Sequence, residues 1–244
     1  MKEAIVIIPT YNEKENVEKM IRKVFSLSYP FHILIIDDGS PDGTASIVKD
    51  LQQTFPEALH LLERKGKLGL GTAYITGFDW AIANKYDYIM EMDCDFSHNP
   101  EDLIRLLNAC KVDGADMSVG SRYVKGGAVK NWPADRVLIS RGASLYVRMI
   151  TWIGVHDTTA GFVCYKRKVL ETIDLSKIRF IGYAFQIEMK FATKKLGFHI
   201  KEVPILFVDR IEGISKMSKG IIKEAVLGVL AMQWNSLFST YKKA

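Results

Sequence analysis

The chain has 244 residues, 48% of them apolar and 25% charged, with a formal net charge of +5. That composition suits a globular protein of one large domain or two small ones and excludes a disordered or fibrous chain. Its apolar runs, such as Ile5-Val6-Ile7-Ile8 and Val226-Leu227-Gly228-Val229-Leu230-Ala231-Met232, fall well short of the roughly 20 residues that a membrane-crossing helix needs.

In chain order, Ala4–Ile8 is expected to be a buried strand. Asn16–Phe25 follows as a helix, with Val17, Met20, Ile21 and Val24 on one face. Ile33–Ile36 is a second strand, and Asp42-Gly43 turns the chain into a helix that begins over Thr44–Leu51. A strand at His60–Glu63, a glycine-rich loop through Gly71, a helix over Thr72–Asn84 and a strand at Tyr88–Met92 come next. Asn99-Pro100-Glu101 opens a helix, with Asn99 as its cap and Pro100 at its first position. The second half predicts strands at Asp116–Gly120 and Gly161–Tyr165, helices over Ala134–Ile153 and Phe185–Leu196, a closing strand over Ile200–Val208, and an apolar helix over Gly220–Phe238. This alternation is the pattern of βαβ units, so an α/β single domain with a mostly parallel, doubly wound central sheet is expected. Residues 1–219 form that domain, and 220–244 a C-terminal amphipathic helix that either packs on it or lies at a membrane surface.

The N-terminus enters its first apolar run with no small-residue cleavage pattern after it, so a cytoplasmic protein is expected. Cys94, Cys110 and Cys164 lie far apart and form no CxxC pair, which sets aside a disulfide framework and a zinc site. The positive charge is concentrated. Residues 121–150 carry a net +5 and residues 214–244 a net +4, which leaves the remainder at −4. Both basic regions are expected to meet something anionic. The charge lacks aromatic-interleaved stripes, and acids at strand ends would repel phosphate unless a metal intervened, so no nucleic-acid partner is expected.

Ligands of open α/β sheets bind outside the carboxyl ends of the strands. There the sequence places Met92-Asp93-Cys94-Asp95-Phe96-Ser97, whose two carboxylates can reach one hard cation, Mg²⁺ or Mn²⁺; the alternative is a solvated acidic turn. Two more strand ends are decorated, by Pro9-Thr10-Tyr11-Asn12-Glu13 and by Asp37-Asp38-Gly39-Ser40-Pro41-Asp42-Gly43. Buried strands that end in acids need donors nearby, from a ligand or from a helix cap. Lys67-Leu68-Gly69-Leu70-Gly71-Thr72 fits neither a dinucleotide fingerprint nor a Walker loop, although its backbone can approach phosphate.

Nine segments in order, IPTYNE, DDGSPDGT, KLGLGTAY, MDCDFSHNP, GSRY, ISRGA, Asp157–Phe162, FQIEM and VDRIEGISKMS, resemble family 2 glycosyltransferases of the GT-A fold. More narrowly they resemble the catalytic part of the dolichol-phosphate or polyprenol-phosphate mannose synthases. The resemblance implies that Pro9, Tyr11, Glu13, Ile36 and Asp38 hold the guanosine of GDP-mannose. It also implies that Asp93, Cys94 and Asp95 lie at the diphosphate, with Asp93, Asp95 and Ser97 as the metal set. Arg122, Arg210 and Lys216 match the cations that close around the phosphates, and Asp95, Arg122 and Lys216 are the catalytic candidates. The family's usual alanine is Cys94 here.

Arg136 and Ser140, four residues apart on one predicted helix face, are expected to grip the acceptor phosphate together with Arg122; a solvated basic face is the alternative. The tract from Arg210 to Lys219 is expected to act as a cationic lid. The implied reaction transfers mannose with inversion to a polyprenyl monophosphate, an acceptor that is already anionic and needs no base. Asp157 or Glu188 would be the base if the acceptor were instead a hydroxyl. A UDP-glucose-dependent polyprenyl-phosphate glucosyltransferase and a non-catalytic nucleotide-sugar binding module are the competing readings. The implied site of action is peripheral, at the cytoplasmic face of a membrane, reached directly or through a separate membrane subunit.

Overall fold

The computed structural model describes residues 3–182, 184–209 and 219–243, with the backbone alone over 219–226. The chain runs β1 (Ala4–Thr10), α1 (Val17–Phe25), β2 (His32–Asp37), α2 (Thr44–Thr54), β3 (Leu59–Glu63), α3 (Leu70–Ala83), β4 (Tyr88–Glu91), α4 (Asp102–Lys111) and β5 (Met117–Ser121). It continues through β6 (Ala128–Lys130), α5 (Ala134–Thr151), β7 (Val163–Lys166), α6 (Arg167–Thr172), α7 (Phe185–Lys195), β8 (Ile200–Pro204), β9 (Leu206–Val208) and α8 (Lys219–Asn235).

Seven strands form one sheet in the order β3-β2-β1-β4-β7-β5-β8. All neighbours are parallel except β7, which runs antiparallel to both β4 and β5. The alternation of side chains along β1 explains why helices cover both faces. Ala4, Val6 and Ile8 join a core with α1, α2 and α4, whereas Ile5 and Ile7 join Tyr74, Phe78 and Phe185 on the other face. A Cβ on Gly77 of α3 would stand 2.7 Å from the Ile7 side chain, so this glycine lets the helix approach the sheet. Overpacking of this kind costs about 1–3 kcal/mol, more than the helix-propensity gain of up to about 1 kcal/mol. Gly77→Ala is therefore expected to lower the midpoint of urea unfolding.

Three expectations need correction. The closing strand breaks at Ile205: its N–H donates the last bond to β5, at Ser121 O (3.0 Å), its C=O accepts the Ala128 N–H at 3.0 Å, and β9 pairs with β6, a strand the sequence pattern does not reveal. The helix over 134–153 ends at Thr151, with Trp152 in a left-handed conformation (φ 58°). Asn99 accepts the Glu101 N–H at 3.2 Å in a turn, and α4 begins only at Asp102, so Pro100 precedes the helix instead of starting it.

At the C-terminus, Val229 and Met232 of α8 are buried with Val147, Ile187 and Phe191 from α5 and α7. Among the described residues, no helix is long and apolar enough to cross a membrane.

Candidate active site

Parallel registry puts the ends of β1, β2 and β4 side by side, with Thr10 opposite Asp37 and Ile7 opposite Glu91. Immediately beyond β4, Asp93, Asp95 and Ser97 line one cavity of about 450 Å³. Asp95 shapes this turn by accepting the Ser97 N–H at 3.0 Å. Between them Phe96 adopts φ 58°, a strained conformation for a bulky side chain and one that recurs at functional sites. Cys94, by contrast, turns into the core at 3% exposure. Burial first, then the Glu13, Asp95 and Asp93 carboxylates, push its thiol well above the ordinary range, which makes it a poor thiolate.

The acids at the end of β2 find protein partners. Asp37 accepts from the Thr10 hydroxyl (2.9 Å) and from the Ser40 hydroxyl (2.6 Å) and N–H (2.9 Å). Asp38 is paired with Arg64 at 2.6 Å, and Arg64 also donates to Thr72 at 2.8 Å. Arg64 was not among the sequence candidates, although it directly follows β3. Asp42 accepts the Thr44 N–H at 3.0 Å in the turn that leads through Gly43 into α2. Lys67 lies over the Tyr11 ring, 5.1 Å from its centroid, and Glu13 accepts from Asn16 at 2.9 Å. Ile36 is a fully buried member of the core.

Two arginines and several aromatic rings line the same cavity. Arg122, Arg136 and Ser140 are among its lining residues, and Arg136 and Ser140 lie four residues apart on α5. Their partners were not legible. Arg122 donates to both oxygens of Asp157, at 2.7 and 2.6 Å, and to Thr159 at 2.9 Å. Its guanidinium lies over the rings of Tyr123, Trp132 and Phe207, 5.0 to 5.5 Å from their centroids. Arg136 reaches Asp209 at 2.9 Å and lies 4.1 Å from the Trp132 centroid. Ser140 accepts the Tyr123 hydroxyl at 2.6 Å.

Neither carboxylate considered as a base is idle. Asp157 is wholly buried on Arg122. Glu188 accepts the Arg179 and Phe180 N–H groups at 2.8 and 3.0 Å and the Tyr241 hydroxyl at 3.0 Å. Arg210, Lys216 and the predicted lid lie outside the described residues.

Beneath the acids, Glu91 accepts from Gln186 and from the Tyr165 hydroxyl. Burial pushes the Glu91 carboxyl up, and burial pushes the enclosed Lys190 ammonium down. His98, 3% exposed, stacks on Phe162 at 4.8 Å, and its imidazole is pushed down to about 4, chiefly by burial.

Among the described residues, no three His, Cys, Asp or Glu side chains form a self-contained metal cage. A hard cation that keeps water and phosphate oxygens needs no such cage. The chemistry of this donor set suits it, because two carboxylates and Ser97, whose buried Oγ has no hydrogen-bond partner, line one cavity.

Residues 5–174 match the family model of glycosyl transferase family 2. The chain belongs to glycosyltransferase family 2. This glycosyltransferase is 47% identical over 225 residues to the polyprenol monophosphomannose synthase of Mycolicibacterium smegmatis, covering 92% of this chain and 84% of that protein. It is 44% identical over 237 residues to the undecaprenyl-phosphate mannosyltransferase of Micrococcus luteus, covering 96% of each. Among solved structures, a Pyrobaculum calidifontis mannosyltransferase in complex with GDP-Man and Mn²⁺ superposes with a TM-score of 0.60 at 18% identity, over 97% of this chain and 64% of that one. Glucosyl-3-phosphoglycerate synthase of Mycobacterium tuberculosis, with Mn²⁺, UDP and phosphoglyceric acid, gives 0.67 at 16% identity, over 96% and 78%. At these identities the likeness shows the fold, the GT-A type architecture that the motifs imply.

Proposed function

We propose that this glycosyltransferase moves mannose from GDP-mannose to a polyprenyl monophosphate, with inversion at the anomeric carbon. The observation that carries the reading is one cavity lined both by Asp93, Asp95 and Ser97 and by Arg122, Arg136 and Ser140, with the two arginines held in place by Asp157 and Asp209. Such a site can hold two anionic reactants face to face. The names of the two curated relatives, both polyprenyl-phosphate mannose enzymes, support the acceptor and the sugar. The resemblance of the strand-end motifs supports the guanosine donor, with Pro9, Tyr11, Glu13, Ile36 and Asp38 on that side.

In this reading Asp93, Asp95 and Ser97 hold Mg²⁺ or Mn²⁺, which when bound supplies Lewis-acid neutralisation of the departing diphosphate. Arg136 and Ser140 orient the acceptor phosphate together with Arg122, whose guanidinium Asp157 holds in place. A phosphate oxygen attacks the anomeric carbon as the bond to GDP breaks and its electron pair leaves with the diphosphate. The nucleophile carries its charge already, so the engagement of Asp157 and Glu188 elsewhere leaves no missing step. Arg210 and Lys216 are proposed to complete the phosphate site.

Arg136→Ala tests the acceptor side. Its acceptor KM is expected to rise by about tenfold or more, as for a lost charge-assisted contact of about 1.5–3 kcal/mol, with GDP-mannose affinity nearly intact. Unchanged acceptor kinetics would remove Arg136 from the site.

The acceptor also implies contact with a cytoplasmic membrane surface, directly or through a separate membrane subunit. Leu138, Leu145, Met149 and Trp152 of the α5 region and Leu230, Trp234 and Phe238 near the C-terminus are all large and exposed, with Arg141, Arg148, Lys242 and Lys243 on the same segments. Apolar faces with flanking cations suit an interfacial position on anionic lipid. Because α8 also contributes Val229 and Met232 to the core, deleting 220–244 would damage the body of residues 1–219 as well. The cleaner test is Trp152→Ser with Trp234→Ser, at 85% and 65% exposure. The pair is expected to abolish flotation with phosphatidylglycerol vesicles; undiminished flotation contradicts direct docking.

A further inference from the structure

Burying a polar atom without a partner costs free energy, so such atoms concentrated in one place mark a surface shaped for a polar ligand. Besides Ser97 Oγ, the cavity is lined by two residues whose ring nitrogens are buried and unpartnered, His98 at Nδ1 and Trp132 at Nε1. Both pack on one ring: the His98 and Trp132 rings lie 5.4 and 5.3 Å from Phe207, each steeply inclined to it. His98 directly follows Ser97 and stands close enough to feel the charges of Asp95, Arg122 and Asp157. Trp132 lies under Arg136. The two rings, packed on Phe207, therefore link the turn of the diphosphate acids to Arg136 of the proposed acceptor-phosphate set. In a direct displacement, only the transferred sugar ring stands between diphosphate and acceptor phosphate.

We propose that His98 and Trp132 form the sugar-recognition subsite, in which His98 Nδ1 and Trp132 Nε1 hydrogen-bond hydroxyls of the hexose while Phe207 holds both rings in place. Indole Nε1 can only donate, so its partner must be a hydroxyl oxygen. An imidazole nitrogen pairs with a hydroxyl as donor or as acceptor. A site built to bond a hydroxyl discriminates strongly against donors that lack it. Trp132 thus selects for an oxygen at its position, and His98 for a hydroxyl at its own.

The inference rests on the proposed donor reaction, and the experiment separates the two. GDP and GDP-mannose affinities are measured by calorimetry for the wild-type chain, His98→Phe and Trp132→Phe. Both substitutions keep an aromatic ring beside Phe207, and effects on nucleotide binding or on the fold cancel in the ratio of the two affinities. The ratio is expected to shift toward GDP by about twofold to tenfold in each variant, the range for one neutral hydrogen bond. In addition, at least one monodeoxy GDP-mannose should bind the wild type more weakly than GDP-mannose but bind one of the two variants equally well. Unchanged ratios in both variants, the result expected if water satisfies these nitrogens, overturn the subsite. If the ratios stay unchanged while the wild type makes lipid-linked mannose, the subsite alone fails. If the ratios shift but no lipid product forms, the reaction assignment fails. A wild-type chain that does not bind GDP-mannose overturns both.

Discussion

Asp95→Asn is expected to lower turnover by about 10²–10³-fold, the scale seen when one group that stabilises developing charge is removed. The substitution is nearly isosteric, and the turn contact that Asp95 makes with the Ser97 N–H is equally available to an amide oxygen. The loss should therefore appear without a change in melting temperature. It should also come with a higher Mn²⁺ or Mg²⁺ concentration for half-maximal rate, measured by metal titration at saturating substrates. Near-normal turnover across the titration would contradict the placement of the metal and diphosphate at this turn.

The second large effect concerns stability. Asp157→Ala leaves the Arg122 guanidinium, 8% exposed and enclosed by three aromatic rings, without its bidentate partner. Removing one member of a buried pair costs about 3–5 kcal/mol, because the remaining charge is uncompensated. For a chain of this size that corresponds to a fall in melting temperature of roughly 6–20 °C. The pair Arg22 and Glu18, with both side chains about half exposed, is the internal control: Glu18→Ala should change stability by at most about 0.5 kcal/mol. Equal effects of the two substitutions, read by calorimetric scanning, would show that the Arg122–Asp157 pair does not anchor this part of the cavity.

The elements of the first 120 residues were legible because their signal is local. β-branched runs and helical spacing, as in Val17, Met20, Ile21 and Val24, are complete within one turn or strand. The site's position followed from the same signal, since acids placed directly after strands fall at the carboxyl edge of the sheet. What the sequence concealed depends on partners distant along the chain. The antiparallel insertion of β7 between β4 and β5 is a matter of strand order, which no local pattern encodes. Arg122 finds Asp157 35 residues away, and Arg136 finds Asp209 73 residues away. The spacing of Arg136 and Ser140 correctly places both on one helical face and says nothing of Asp209. The break at Ile205 was not legible, because β6, three residues long and at the surface, gave no hydrophobic run to pair β9 with.

The central claim is that one cavity brings a nucleotide-activated mannose to a lipid phosphate. It is tested most directly by incubating the purified protein with polyprenyl phosphate and Mn²⁺ or Mg²⁺ and, in parallel, radiolabelled GDP-mannose or UDP-glucose, then identifying the lipid fraction. The account predicts metal-dependent label in polyprenyl phosphate mannose from GDP-mannose, with equimolar GDP. Label transferred from UDP-glucose instead, or GDP-mannose left intact with acceptor and metal present, would contradict it.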